Sequence, residues 1–430
     1  MAAIHTYSVH SETAQALQGL AGGFRLPEHN GVPVDRTGES DVTDALNAWL
    51  GAGIANGDPM FLPAGTYRTS DEIIAAGRMD DTLLLLGAGT RRSVIAPRRN
   101  THNGLRVRIP GSRAKGRVQG IGVASTAPLP DTPNGCAAYV VDGTPLLVLA
   151  DLDAIGFDIG FDFVNNCFNC AGYNLATPRF DSTNCGLNLR EGVQSGSDLH
   201  FYNTSFGGRC HAVAIAGRGG GYHFFGGQWG ANDAGRPRGD GFGVIQLGYD
   251  YASQSELGGL GPILFSGLAI EGPKNCWMIR SFDEVVATFN QFSFLASARS
   301  AQCLGLLKMT SAQNSVLTFS GCNIGRSFFA RDKVVEIEGD WASFMLSEGA
   351  WHCAHGTLLA DVPQGQMWLP SLARHMLGWG SEYAFGIGQS STGEKTPMVH
   401  IGGGAIRYSH GRLQGSTDGQ TWSDLGRQQP

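Results

Sequence analysis

The chain has 430 residues, 63 of them glycine, with 42% hydrophobic and only 16% charged residues. That is too long for one ordinary hydrophobic core and too poor in helix formers for a helical bundle, so it favours a repeat architecture whose core grows lengthwise. A formal net charge of −6 with no basic stripe argues against nucleic acid or an anionic membrane as partner.

The chain starts MAAIHTYSVH, without the basic region and apolar run of a signal peptide, and no stretch reaches the ~20 apolar residues of a membrane span. The expectation is a protein made in a cytoplasm, starting at or near Met1 and not inserted in a membrane. Residues 1–29 read as an appendage with a weak helical pattern from Ser11 to Leu20. The next stretch, GVPVDRTGESDVTDALNAWLGAGIANGDPMFLPAGTYR, predicts a strand, a helix from about Asp41 to Ala55, and a strand ending in a Pro-Ala-Gly turn. Val42, Leu46, Trp49 and Leu50 give that helix one apolar face. It is suited to covering the open end of a stacked-sheet core, whose unpaired edge would otherwise recruit other chains.

From LLLLGAGTRRSVI onward two kinds of short strand alternate. One kind carries a phenylalanine: Phe201, Phe224, Phe265, Phe289, Phe319 and Phe344 return every ~25 residues, as in a solenoid. The other lies between them, in CGLNLREG, CHAVAIAG, FGVIQLG, CWMIRS, CLGLLKM and VVEIEG. Cys185, Cys210, Cys276 and Cys303 begin four of these strands, which marks them as interior filling. The count of nine cysteines is odd. Cys167 and Cys170 form one C-x-x-C pair without a second pair or a histidine at zinc-finger spacing, so neither a disulfide framework, nor a metal site, nor a cofactor is expected. Coils are expected from about residue 83 to 360, within a domain of residues 30–360, followed by a closing β module over 361–430. There the turns His410-Gly411 and Asp418-Gly419 predict β-hairpins.

The stretch from Gly31 to Pro97, with VPVD, a short helix, FLPAGTYR and the LLLLGAGTRRSVI strand-turn-strand, resembles the cap and first coils of pectate-lyase-like, right-handed parallel β-helix proteins. That group includes polysaccharide lyases, glycoside hydrolases, epimerases and bacteriophage tailspikes. The resemblance covers about residues 30–350 and is specific for fold, not for chemistry. AIRYSHGRLQGSTDGQTWSDLG, residues 405–426, is similar to the short modules that close many phage virion proteins. The resemblance therefore implies an all-β homotrimer of the spike or fibre type, located in the virion of a phage or phage-like particle. Its N-terminal segment would attach to other virion proteins. Its partner would be a bacterial cell-surface polysaccharide, which it binds and, on the fuller reading, depolymerises. A free polysaccharide lyase or glycoside hydrolase, and a purely structural virion protein, are the alternatives.

One coil breaks the period. About 41 residues separate Phe224 from Phe265 where ~25 are expected, and solenoid insertions gather on one face, often the binding face. Trp229, Tyr249 and Tyr251 are candidates to stack on sugar rings, and Arg236 and Arg238 to bind uronate carboxylates. Asp233, Asp240 and Glu271 are the candidate catalytic carboxylates, because glycoside hydrolysis needs an acid and a base or nucleophile ~5 to 9.5 Å apart. A lyase would need a base and a cation, for which Arg236, Arg238, His200 and His223 are available. The plain alternative is that these are polar residues filling long turns or a subunit contact.

Overall fold

The computed structural model describes residues 23–30, 33–79, 81–111, 115–178, 182–190, 198–217, 221–231, 242–271, 276–295, 303–310 and 315–327, and beyond these a set of strands ending at Asp424. It forms two compact units, Met1–Phe206 and Gly207–Pro430. Each is built from coils of short parallel strands, and the fold is a right-handed parallel β-helix with one N-terminal helix.

In the first unit the helix runs Thr43–Asn56, starting slightly later than its apolar pattern suggests. Asp41 stands outside it and accepts a hydrogen bond from the Thr43 backbone N–H at 3.0 Å, satisfying one of the donors that a helix start leaves open. Gly57, at φ 69°, ends the helix in the left-handed conformation. Leu46, Trp49, Leu50 and Ile54 are buried beneath it.

The coils behind the helix have three strands each, not two, and they begin earlier than residue 83. Three interior columns show this. Met60, Leu85, Val118, Leu149, Gly172 and Phe201 are successive register partners in one sheet. Tyr67, Ile95, Val123 and Ala154 form the second column, and Ile73, Leu105, Tyr139, Phe161 and Leu187 the third. All these positions, Gly172 included, are buried. The sequence pattern hides the second sheet because its strands are short: Gly122–Ala124 has three residues, too few for alternation to register.

The second unit repeats the plan. Phe224, Phe265, Phe289 and Phe319 are register partners, and their rings stack at 5.0, 4.7 and 4.7 Å between centroids. Phe344 does not continue this column. It pairs with Leu317, and Leu346 takes the place opposite Phe319, so the phenylalanine spacing misleads by one pleat period at the last coil. Ile245, Ile279, Leu307, Val335 and Ala360 form another column. Beyond the coils lies a five-stranded antiparallel sheet from Phe385 to Asp424. In it Ser409 pairs with Arg412; the turns expected at His410-Gly411 and Asp418-Gly419 lie outside the described residues.

One corner recurs from the coil of Gly120 onward. In the first unit Gly120, Asp151, Asn174 and Asn203 all have φ between 51° and 70°. In the second unit Gly226, Gly267, Gln291 and Gly321 have φ between 50° and 66°. The chain turns sharply there through a left-handed residue, which glycine and the small amides tolerate best.

The cysteines serve as filling. Cys185, Cys210, Cys276 and Cys303 are buried. Burial raises the Cys303 and Cys170 thiols to about 12 and the Cys167 thiol as well, so all three stay protonated and unreactive near neutrality.

Candidate functional site

The long coil is where the sequence places it, since Phe224 and Phe265 are direct register partners, but its described residues are arranged for packing. Trp229 is 0% exposed and packs edge-on against Phe224 and Phe265 at 5.1 and 5.9 Å. Gly226 and Gly227, at φ 65° and 113°, lie between Phe224 and Trp229 and reset the in-and-out alternation, so both rings face inward. Tyr249 and Tyr251 are 8% and 2% exposed, and both stand edge-on to His211 at 5.8 and 5.6 Å. Tyr249 also donates its hydroxyl to Gln254 Oε1 at 2.9 Å. The expectation that these three rings form sugar platforms is therefore corrected: their faces are occupied by the core.

Of the three candidate carboxylates, Glu271 is on the strand Ala269–Glu271, opposite Gly230. It is part-exposed and accepts a hydrogen bond from Gln228 Nε2 at 2.5 Å. Asp233, Arg236, Arg238 and Asp240 lie outside the described residues. Among the described residues no group of three or more His, Cys, Asp or Glu is placed to hold a metal ion, and no helix is long and apolar enough to cross a membrane.

Beyond its first two strands, where Ile74 is exposed, the third sheet of the first unit offers no open face either. The strands Ala137–Asp142, Phe157–Val164 and Thr183–Leu189 are buried on both sides almost throughout. The segment around Pro128 and Pro130 is tied down over them: Asn100 Nδ2 donates to Pro128 O at 2.8 Å, Asn184 Nδ2 to Pro130 O at 2.9 Å, and Asp158 accepts from the backbone of Asn134 and Gly135 at 2.8 Å each. Asp162 is bound by Arg190 at 2.6 Å. These buried carboxylates are all engaged with the chain's own donors.

The first sheet of the first unit is different. Its outward column reads Leu86, Gln119, Ala150, Tyr173, Tyr202 along successive coils. Tyr173 is 41% exposed, the one aromatic among the exposed large apolar side chains described. Its ring stacks on Tyr202 at 4.9 Å with 7° between planes. His200, two residues before Tyr202 and so on the same face, lies parallel to it with centroids 6.2 Å apart. Beside the rings runs the left-handed corner, with its side chains joined in a ladder. Gln119 Nε2 donates to Asp151 Oδ2 at 2.9 Å, Asn174 Nδ2 to Asp151 Oδ1 at 2.8 Å, and Asn203 Nδ2 to Asn174 Oδ1 at 2.8 Å. The result is a stack of parallel rings, exposed at Tyr173, with a preorganised row of amides and one carboxylate along its edge. Of this site, sequence reasoning reached only His200. The signal was the repeated Tyr-Asn dipeptide at 173–174 and 202–203, one coil apart.

No protein-family model matches the sequence, and comparison with curated proteins finds no match. Solved structures match through the fold. The catalytic unit of a thermostable α-1,3-glucanase of glycoside hydrolase family 87 from Streptomyces thermodiastaticus shares 15% identity, with a TM-score of 0.51 over 81% of this chain and 68% of that one. ORF18 of Geobacillus virus E2 shares 11% identity, with a TM-score of 0.44 over 96% and 78%. The gp42 tailspike of Acinetobacter phage vb_AbaP_AS12 shares 11%, with a TM-score of 0.44 over 95% and 82%. At this identity the likeness to the glucanase shows the fold, a parallel β-helix, and carries no activity with it.

Proposed function

We propose that this chain is a carbohydrate-binding, spike-like protein of a phage or phage-like particle, and that it holds a bacterial surface polysaccharide along the outer face of its N-terminal coils. The observation that carries the reading is the Tyr173–Tyr202–His200 strip with its Asp151–Asn174–Asn203 border. Exposed rings take the C–H faces of pyranoses, and fixed amides and carboxylates take their hydroxyls. A ladder already hydrogen-bonded within itself loses little side-chain freedom when a ligand arrives.

The virion assignment is supported by the likeness of the C-terminal module to phage closing modules. In this reading residues 1–29 attach to other virion proteins, residues 30–360 form the glycan-binding solenoid, and residues 361–430 close a homotrimer. Depolymerisation would use Glu271 with Asp233 or Asp240 on the long coil of the second unit.

The test is direct binding of the purified protein to a panel of bacterial capsular and O-antigen polysaccharides. A glycan that binds the protein is expected to lose about tenfold in affinity with Tyr173→Ala, on the scale of one lost ring contact, at an unchanged melting temperature. Full retention of binding in that variant, or no binding by the parent protein across the panel, rejects the platform. Release of reducing ends that Glu271→Gln abolishes is the result expected of a depolymerase. Mass measurement in solution at three times the 45.6 kDa chain is the result expected of the trimer.

A further inference from the structure

A cavity of about 560 Å³ opens on a different face of the first unit, over its second sheet. Its floor follows from register. On the strand Gly65–Thr69, Arg68 pairs with Ala96 of the strand Ser93–Pro97. The adjoining strand Gly122–Ala124, where Val123 pairs with Ile95, brings Ala124 alongside. One long cation followed by two methyl groups on successive coils leaves a trough.

Arg98 and Arg99, immediately after Pro97, and Thr126 also line it. The arginine turn is held firmly. Arg98 N donates to Thr69 O at 3.0 Å. Asn100, which follows Arg99, is buried, donates to Pro128 O and Gly156 O at 2.8 and 3.1 Å, and accepts from Asn134 Nδ2 on its own carbonyl at 2.9 Å.

The charge of this trough is unbalanced. Arg25, Arg36, Arg106 and Arg190 each meet a carboxylate at 3.0 Å or less. Among the described residues no carboxylate lies within ion-pair distance of Arg68, Arg98 or Arg99. Arg68 spends one Nη donor on the Glu39 carbonyl at 2.7 Å. Three guanidinium groups around one cavity repel one another, and an anion lodged among them would relieve that repulsion while accepting paired, charge-assisted hydrogen bonds. The methyl groups and the Pro97 ring between the cations provide an apolar seat beside the charged rim. A carboxylate carried on a pyranose ring fits both halves, whereas a bare inorganic anion uses only the rim.

We propose that this trough binds the carboxylate of a uronic acid residue, so that the N-terminal coils take an acidic polysaccharide. The inference rests on the glycan-binding reading for its ligand class and on separate residues for its site. The probes are tetragalacturonate, tetramannuronate, their methyl esters and inorganic phosphate, measured by titration calorimetry with the full chain. The variants are Arg98→Gln/Arg99→Gln, both exposed positions, and Tyr173→Ala.

The expected result is that at least one uronate tetramer binds, that the double variant weakens it tenfold or more with an unchanged melting temperature, and that the methyl ester and phosphate bind at least tenfold more weakly than the acid. Affinity should fall as salt is raised. Uronate affinity unchanged in the double variant overturns the trough as the site. Equal binding of ester and acid, or of phosphate and tetramer, overturns the uronate assignment. Loss of binding in Tyr173→Ala alone, with the double variant intact, rejects the trough and leaves the glycan-binding reading standing. Neither tetramer binding, while a neutral surface glycan does, has the same meaning.

Discussion

The two units solve the same corner with different chemistry. In the first unit the left-handed position starts with Gly120 and is then filled by Asp151, Asn174 and Asn203, whose side chains bond to one another from coil to coil. In the second it is filled mainly by Gly226, Gly267 and Gly321, which supply the backbone conformation and nothing beyond it. Their interiors differ in the opposite sense. The first unit fills its first sheet's column with mixed residues from Met60 to Phe201, while the second stacks four phenylalanines in file. The first unit thus has an elaborated exterior, and the second a specialised interior. A solenoid can assign recognition and rigidity to different coils because each coil contacts only its neighbours.

The largest effect expected from breaking this contrast is inside the second unit. Phe289 is buried between two stacked rings, at 4.7 Å from each, and touches Phe292 edge-on at 5.5 Å. Phe289→Ala should cost about 3–5 kcal/mol, read as a lower denaturant midpoint, with glycan binding by the first unit retained below the transition. A loss under 1 kcal/mol would mean that the file is not a cooperative core.

Smaller effects follow at the corner. Asn174→Ala should cost about 1–2 kcal/mol, because alanine takes the left-handed conformation poorly and the ladder is cut on both sides. Asn174→Gly should restore the backbone part and leave glycan binding weak, separating conformation from chemistry. Gly226→Asn is the converse test. A Cβ built there meets nothing within 4 Å, and asparagine tolerates the left-handed conformation better than most side chains, so the loss should be no more than about 1 kcal/mol. A large loss would show that the two corners are not interchangeable.

The smallest effect concerns the end of the first unit. Burial pushes the Asp41 carboxyl up, but hydrogen bonds from Ser70 and Thr43 outweigh it and bring the group down from 3.8 to about 2. A group depressed in the folded state contributes stability that is fully present above its unfolded value and is lost as pH falls through its folded value. Protection of the helix Thr43–Asn56 in hydrogen exchange should therefore decline between pH 4 and pH 2, and Asp41→Asn should flatten that decline.

Much of the fold was legible in the sequence because the strongest signals were the longest-lived ones. Phe224, Phe265, Phe289 and Phe319 recur with the coil, and the cap helix carries its apolar stripe. The three-strand coil was not legible, because the middle strands are two to four residues long wherever a tight corner intervenes, as at Gly207–Gly208 and Ala269–Glu271. The site was less legible than the fold. Trp229, Tyr249 and Tyr251 drew attention as large rings in an anomalous segment, yet the Gly226–Gly227 corner turns Trp229 inward, and His211 draws both tyrosines into packing. Tyr173 and Tyr202 sit in regular coils and looked ordinary. What sets them apart is the register that stacks them, and register becomes visible only when neighbouring coils are aligned residue by residue.

The repeating left-handed corner has a consequence for how this surface can change over time. Because the turn is specified by backbone conformation alone, any residue that accepts that conformation can occupy it, and the outward residue before it faces away from the core. The corner and its neighbour therefore act as a pair of writable positions on each coil that has it. Variants can exchange rings, amides and glycines there, one coil at a time, without disturbing the columns inside. Ligand preference and thermal robustness are free to drift independently in a protein built this way.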